Sequence, residues 1–231
     1  MTTPALLAMR FLVALGLLAV LPNLLWELFL QRGWVVAGDP AGRLEGSMLV
    51  FLLACLAVGV FACWQRPAWP WRPACPARVV GGYAPFLLAW VLLLVGYLAL
   101  ARALGSPVTA QPALEYLAIG EPSRPGFWLV VAGTTLGAPL AEEIVFRGYL
   151  QGALQGYLRP WPAIAVAAAI FGSVHTLPYA LPVACLGLFF GWLAHRCGSL
   201  WPAVLGHALH NGVTVAVTWF WPASLDWLYP R

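Results

Sequence analysis

Apolar positions in this chain come in long blocks, separated by short polar stretches rich in Pro, Gly and Arg. Blocks of about 17–25 residues are the length a helix needs to cross a hydrocarbon core of about 30 Å. They predict spans near 8–30, 46–64, 83–104, 125–137, 139–158, 161–177, 180–196 and 200–220. The fold class that follows is all-α, a polytopic membrane helix bundle of about eight transmembrane helices. Residues 1–124 read as N-terminal transmembrane helices and 125–231 as a C-terminal core, the two forming one integrated membrane domain.

The fourth and fifth blocks are divided on a length argument. Read as one helix, Arg124 to Leu158 would be roughly 50 Å long, well beyond the bilayer core. Gly137-Ala138-Pro139 offers a break, since Pro is well tolerated at a first helical position. A helix starting at Pro139 sets Glu142 and Glu143 in its first turn, where the helix dipole favours negative charge. Between the second and third spans, Trp64–Gly82 is rich in Pro, Trp and Arg and belongs at headgroup level. Placed on the cytoplasmic side, it gives a cytoplasmic N-terminus. In the other long connection, Pro107–Pro125, the stretch Ala113–Ile119 reads as a short interfacial helix.

Composition supports the bilayer as solvent: 62% of residues are hydrophobic and 9% charged, against roughly 45–50% and about 25% in a soluble domain. Phe11–Leu21 resembles the core of a signal peptide, but no small-x-small cleavage site follows, so it reads as a retained span. All twelve basic residues are Arg, and no basic block is long enough to track a phosphate backbone. The net charge of +4 is therefore assigned to orientation and headgroup contact, not to nucleic acid. Cys55, Cys63, Cys75, Cys185 and Cys197 form no C-x-x-C pair and read as inert packing thiols.

Against this background the polar residues of the C-terminal half stand out. One ionised side chain at a helix centre costs about 2.5–3.5 kcal/mol on insertion scales, and Glu142, Glu143 and Arg147 fall within two turns. At about 100° per residue, Glu143 and Arg147 share a face and can pair, whereas Glu142 points roughly 140° away from Arg147. Glu142 is left as the freer carboxylate, in the setting of a general base. Helix capping and neutralisation of Arg147 would be the purely structural role of the two glutamates. His175 follows Phe171 by one turn in an Ala/Ile/Val-rich helix and suits either packing or catalysis. His207 and Asn211 share a face of the last helix and could hold an oxyanion or simply bond between helices. His195 and His210 read as structural or interfacial.

Taken in order, Glu-Glu-x-x-x-Arg at 142–147, Phe-x-x-x-His at 171–175 and His-x-x-x-Asn at 207–211 resemble the CPBP family of intramembrane endopeptidases. That family includes the type II CAAX prenyl endopeptidases and relatives associated with bacteriocin processing and immunity. The resemblance runs from about Gly126 to Thr218, including the small-residue stretch Gly187–Gly191 and Gly198-Ser199-Leu200. It implies cleavage near the C-terminus of a membrane-embedded or lipidated protein substrate in the bilayer, and the Arg-only, Trp- and Pro-rich composition reads as that of a bacterial inner-membrane protein. Carried over by position, Glu142 would activate water with His175 assisting. Glu143 and Arg147 would order the site, Phe171 would support it, and His207 with Asn211 would stabilise the oxyanion.

A zinc ion would need three or four well-placed ligands, for which Glu142, His175 and His207 are the alternative set. His-Glu-x-x-His is absent, so a metal-free mechanism is expected. Two other function classes share such a cavity: a non-catalytic peptide-binding or immunity protein, and a proton-coupled transporter, which would be expected to show paired broken helices. The predicted spans leave one conflict, because Glu142 and His175 lie near one membrane face while His207 starts from the other. Either 178–196 is irregular or re-entrant, or the last helix meets its partners near mid-membrane.

Overall fold

The computed structural model describes residues 2–33, 39–72, 76–106 and 108–229, all helix or connection with no strand among them. Cys75 and Pro107 lie outside the described residues. We number the helical runs α1 (Pro4–Gln31), α2 (Pro40–Trp64), α3 (Pro76–Ala103), α4 (Pro112–Ile119), α5 (Pro125–Leu154), α6 (Pro160–Ser173), α7 (Ala180–Cys197), α8 (Trp201–Phe220) and α9 (Ala223–Leu228). Among the described residues five helices are long and apolar enough to cross a membrane, namely α1, α2, α3, α5 and α7, and α6 is a shorter apolar helix. The protein is a polytopic helical membrane protein. The interfacial helix expected at 113–119 is α4, and the third span begins earlier than expected, at Pro76.

The expected break at Gly137-Ala138-Pro139 is absent. Instead α5 is one continuous run of 30 residues, kept continuous by π-helical turns at Gly133–Gly137 and Ile144–Gln151. A π turn bonds each N–H one residue further back than an α turn, which loosens the ladder where a proline ring and its missing N–H must fit. The Ala138 N–H reaches back to Gly133 O, and the next nitrogen belongs to Pro139, which has no hydrogen. Thr134 O, left over by this arrangement, accepts from Asn211 Nδ2 at 2.8 Å. Glu142 and Glu143 therefore sit about 25 Å along a helix, not in a first turn, and the dipole argument for them does not apply.

By their contacts the residues form two compact units. One comprises Val13–Trp64, Thr109–Ala141 and Ala208–Arg231. Its core is Leu117, Phe127, Val130 and Val215, with Met48 and Trp219 packed against it. A polar knot secures the N-terminus of α5: Glu45 Oε1 accepts from Arg124 Nε at 2.9 Å and from the Tyr116 hydroxyl, and Arg124 also reaches Asp39. Burial, reinforced by the Glu45 carboxylate, pushes the Tyr116 phenol up to about 12, so it remains a donor at neutral pH.

The other unit comprises Met1–Leu12, Gln65–Val108 and Glu142–His207. Here α6 and α7 approach through glycines: a Cβ on Gly172 would lie 2.3 Å from Ala180 O, and one on Gly187 would lie 3.1 Å from Ala168. The connection 65–72 is strapped down at one end of the unit. Its Ala68 N–H donates to Gly148 O, Leu200 N–H donates to Pro70 O, and Ser199 Oγ bonds both Pro70 O and Arg72 O. Gly148 belongs to the second π turn, and the strap gives its carbonyl a partner.

Gly172→Ala should lower stability by about 1–3 kcal/mol, because the clash is with backbone that cannot rotate away. Gly96→Ala, which faces open space, should be neutral or stabilising by up to ~1 kcal/mol. Denaturant titration of the two purified variants in mixed micelles tests the contrast; equal midpoints would show that close approach at Gly172 does not limit packing.

Candidate active site

The second π turn and the glycines of α7 bring three of the singled-out side chains into one buried ionic group. Arg147 Nη1 donates to Glu143 Oε1 at 2.9 Å, and His207 Nδ1 lies 2.8 Å from the same oxygen. A carboxylate only accepts, so Nδ1 carries the hydrogen, and Nε2 is the ring atom turned toward Glu142 Oε2, 3.9 Å away. Glu143 and Arg147 are essentially inaccessible, at 0% and 1%. A second Arg147 nitrogen, Nη2, donates to Gly187 O at 3.1 Å, and the guanidinium lies 4.4 Å over the Phe171 ring and 5.6 Å from that of Phe190.

Phe171 is the shared wall of the site. Its ring meets His175 edge-on at 4.9 Å and His207 at 6.1 Å between centroids, while Phe190 stacks on His207 at 4.6 Å. His175, just past the end of α6, has Nδ1 2.7 Å from Phe171 O. A carbonyl cannot donate, so Nδ1–H is the donor and the neutral ring offers its lone pair at Nε2. Glu142 and His175 are half-buried, whereas Glu143, Arg147 and His207 are buried. The site thus has accessible titratable groups backed by a sealed ionic scaffold.

The conflict over the last helix resolves through the continuity of α5. Glu143 lies about 16 Å before Leu154, and His207 about 9 Å into α8, so their contact falls well inside both helices. The segment after Pro178 is a regular helix, α7, preceded by a short 3-10 turn. One turn beyond His207 on α8, Asn211 makes its bond to Thr134 O within the other unit. That is the interhelical role weighed for it, and it occupies one of two amide hydrogens.

Sequence inspection passed over Phe190 and Gln151. Nothing in the motifs marks Phe190, but Gln151 was detectable as a polar residue four places beyond Arg147 in an apolar helix. It is fully buried and donates to Gly191 O at 3.1 Å. Among the described residues, no three His, Cys, Asp or Glu side chains form a group that could hold a metal ion. Glu142, His175 and His207, the alternative zinc set, do not form such a group.

With the geometry in place, comparison with known proteins adds a family. Residues 124–213 match the family model described as type II CAAX prenyl endopeptidase Rce1-like. The match spans all three motifs, and the resemblance read from them is borne out. A Bacillus subtilis (strain 168) protein described as "Putative membrane peptidase YdiL" is 30% identical over 88 residues. That stretch covers 38% of this chain and 36% of the relative's length, well short of the whole protein. No solved structure matches the chain.

Two predictions follow from these contacts. Glu143→Gln removes the counter-charge of a buried guanidinium and should cost about 3–5 kcal/mol in unfolding free energy; a loss under 1 kcal/mol would mean water reaches Arg147 freely. Asn211→Leu should cost about 1–3 kcal/mol by orphaning Thr134 O. Pro139→Ala supplies an N–H to this part of the ladder, so a double-mutant cycle should show that Asn211→Leu costs measurably less in the Pro139→Ala background. Strict additivity would separate the two residues.

Proposed function

We propose that the chain is an intramembrane endopeptidase that hydrolyses a peptide bond with water activated by Glu142 and His175. The observation that carries this is the division of the glutamate pair. Glu143 Oε1 is committed to Arg147 and His207, while Glu142 stays half-buried and beyond hydrogen-bond length of any cation.

In this mechanism Glu142 removes a proton from water as the oxygen adds to the scissile carbonyl carbon, with His175 Nε2 holding the water's other hydrogen. His207 Nε2, in the doubly protonated ring, and the free amide hydrogen of Asn211 donate to the carbonyl oxygen as it becomes an oxyanion. Glu142 then returns the proton to the departing amine as the C–N bond breaks, and the carboxylic acid product forms. Phe171 fixes the His175 tautomer through its carbonyl and packs both imidazoles with its ring. No step uses a metal.

The family description supports a membrane-embedded or lipidated protein as substrate, cut near its C-terminus. The arginine-rich strap at 65–72 supports a cytoplasmic placement of that end in a bacterial cell membrane. Glu142→Gln and His175→Ala, half-buried positions outside the ion triad, should keep the fold and lose about 10²–10⁴-fold in turnover. The assay is cleavage of a quenched prenylated CAAX-type peptide by the reconstituted chain, with new C-termini in cells measured by mass spectrometry. Equal cleavage patterns for wild type and Glu142→Gln would rule the mechanism out and leave a binding protein.

A further inference from the structure

Helix α5 carries Glu143, Arg147 and Gln151, and its C-capping residue is Gln155, at four-residue spacing, a single polar file in an otherwise apolar region. Helix α7 runs beside it in the same direction. The first two rungs are observed: Arg147 Nη2 donates to Gly187 O and Gln151 Nε2 to Gly191 O, both at 3.1 Å and both 40 residues apart in sequence. The same register sets Gln155 opposite His195, whose ring meets Trp69 of the strap edge-on at 6.2 Å. Glycine at 187 and 191 lets these side chains reach backbone, and a Cβ on Gly191 would lie 2.6 Å from Gln151 Oε1.

Packing alone does not account for this file, because almost every rung holds a buried polar atom with no protein partner. These atoms are Glu143 Oε2, Gln151 Oε1, Gln155 Nε2, His195 Nδ1 and, at the strap, Trp69 Nε1. Buried polar atoms are almost always bonded, and internal water is their usual partner where protein supplies none. The rungs rise about 6 Å apiece, close to the reach of one water bonded on both sides. Donors and acceptors are both represented, as a chain of waters requires. The file opens where Arg66, Arg72, Arg159 and Arg196 are exposed, and this unit has no carboxylate besides Glu142 and Glu143.

We propose that this file is the water path of the protein, a hydrated ladder between α5 and α7 that brings water from the strapped, arginine-bearing end to the Glu142–Glu143 centre. Each hydrolytic turnover consumes one water, which an apolar bundle does not otherwise deliver to mid-membrane. The use made of the water rests on the peptidase reading, but the path does not.

Water-edited magic-angle-spinning NMR of the full chain in lipid bilayers tests it without substrate. Polarisation transfer from water to the side-chain amides of Gln151 and Gln155 should build up within about threefold of the rate at exposed Gln31. Gln155→Leu, one turn nearer the surface, should slow the build-up at Gln151, and Trp69→Phe, which keeps an aromatic ring and removes the donor, should slow it at Gln155. A build-up at Gln151 as slow as at the buried Ile164 methyls overturns the proposal, as does an unchanged rate at Gln151 in Gln155→Leu. Because hydration is read independently of cleavage, a wet file in a chain that cuts nothing refutes the peptidase reading and leaves the path standing.

Discussion

Everything around the site follows from one requirement: a guanidinium buried in the membrane-spanning part of a protein must have a carboxylate beside it. Unpaired, Arg147 would bear the full desolvation cost of a buried ion. With Glu143 one turn away it forms a compact pair, and the residual donors of the guanidinium then dictate what neighbours are tolerable. One goes to Gly187 O, which holds α7 close to the cation. The faces of the cation are covered by Phe171 and Phe190, whose rings interact favourably with it and exclude solvent. Because Glu143 is already held, the imidazole it captures, His207, is held too.

Helix distortion is the second organising element. Both π turns of α5 release carbonyls from the ladder, and each released group is used to attach another part of its own unit. Thr134 O is bonded by Asn211, and Gly148 O by the strap at Ala68. In hydrocarbon such groups cannot be left to solvent. The irregularity that proline and the crowded polar turn force on the helix is thereby converted into tertiary connection.

How much of this could be read from sequence depended on whether local periodicity held. The Glu143–Arg147 pair and the separate status of Glu142 follow from four-residue and one-residue offsets, and these survive a π turn in between. The short helix α4 was legible because its Pro start and apolar run are local signals. The break at Pro139 was misread for a physical reason: length and proline both argue for two helices, while the compensating bond from Asn211 lies 77 residues away in sequence. The depth conflict over His207 was a consequence of that same misreading. Phe190 could not be found at all, since an aromatic in an apolar helix looks the same whether it faces lipid or stacks on an imidazole. Gln151 lay in plain sight on the Glu143–Arg147 face, but its acceptor is a backbone carbonyl, which no side-chain motif announces.

The two adjacent glutamates can differ in role because their neighbours differ, although their chemistry is identical. Glu143 is the counter-charge of Arg147 and the partner that orients His207, so it is fixed in the ionic scaffold. Glu142 is half-buried and meets His207 Nε2 at 3.9 Å. In the proposed mechanism, a scaffold that never touches the reacting bond thus distinguishes the carboxylate assigned to the water. The Phe171 and Phe190 rings complete the arrangement by covering the faces of the guanidinium.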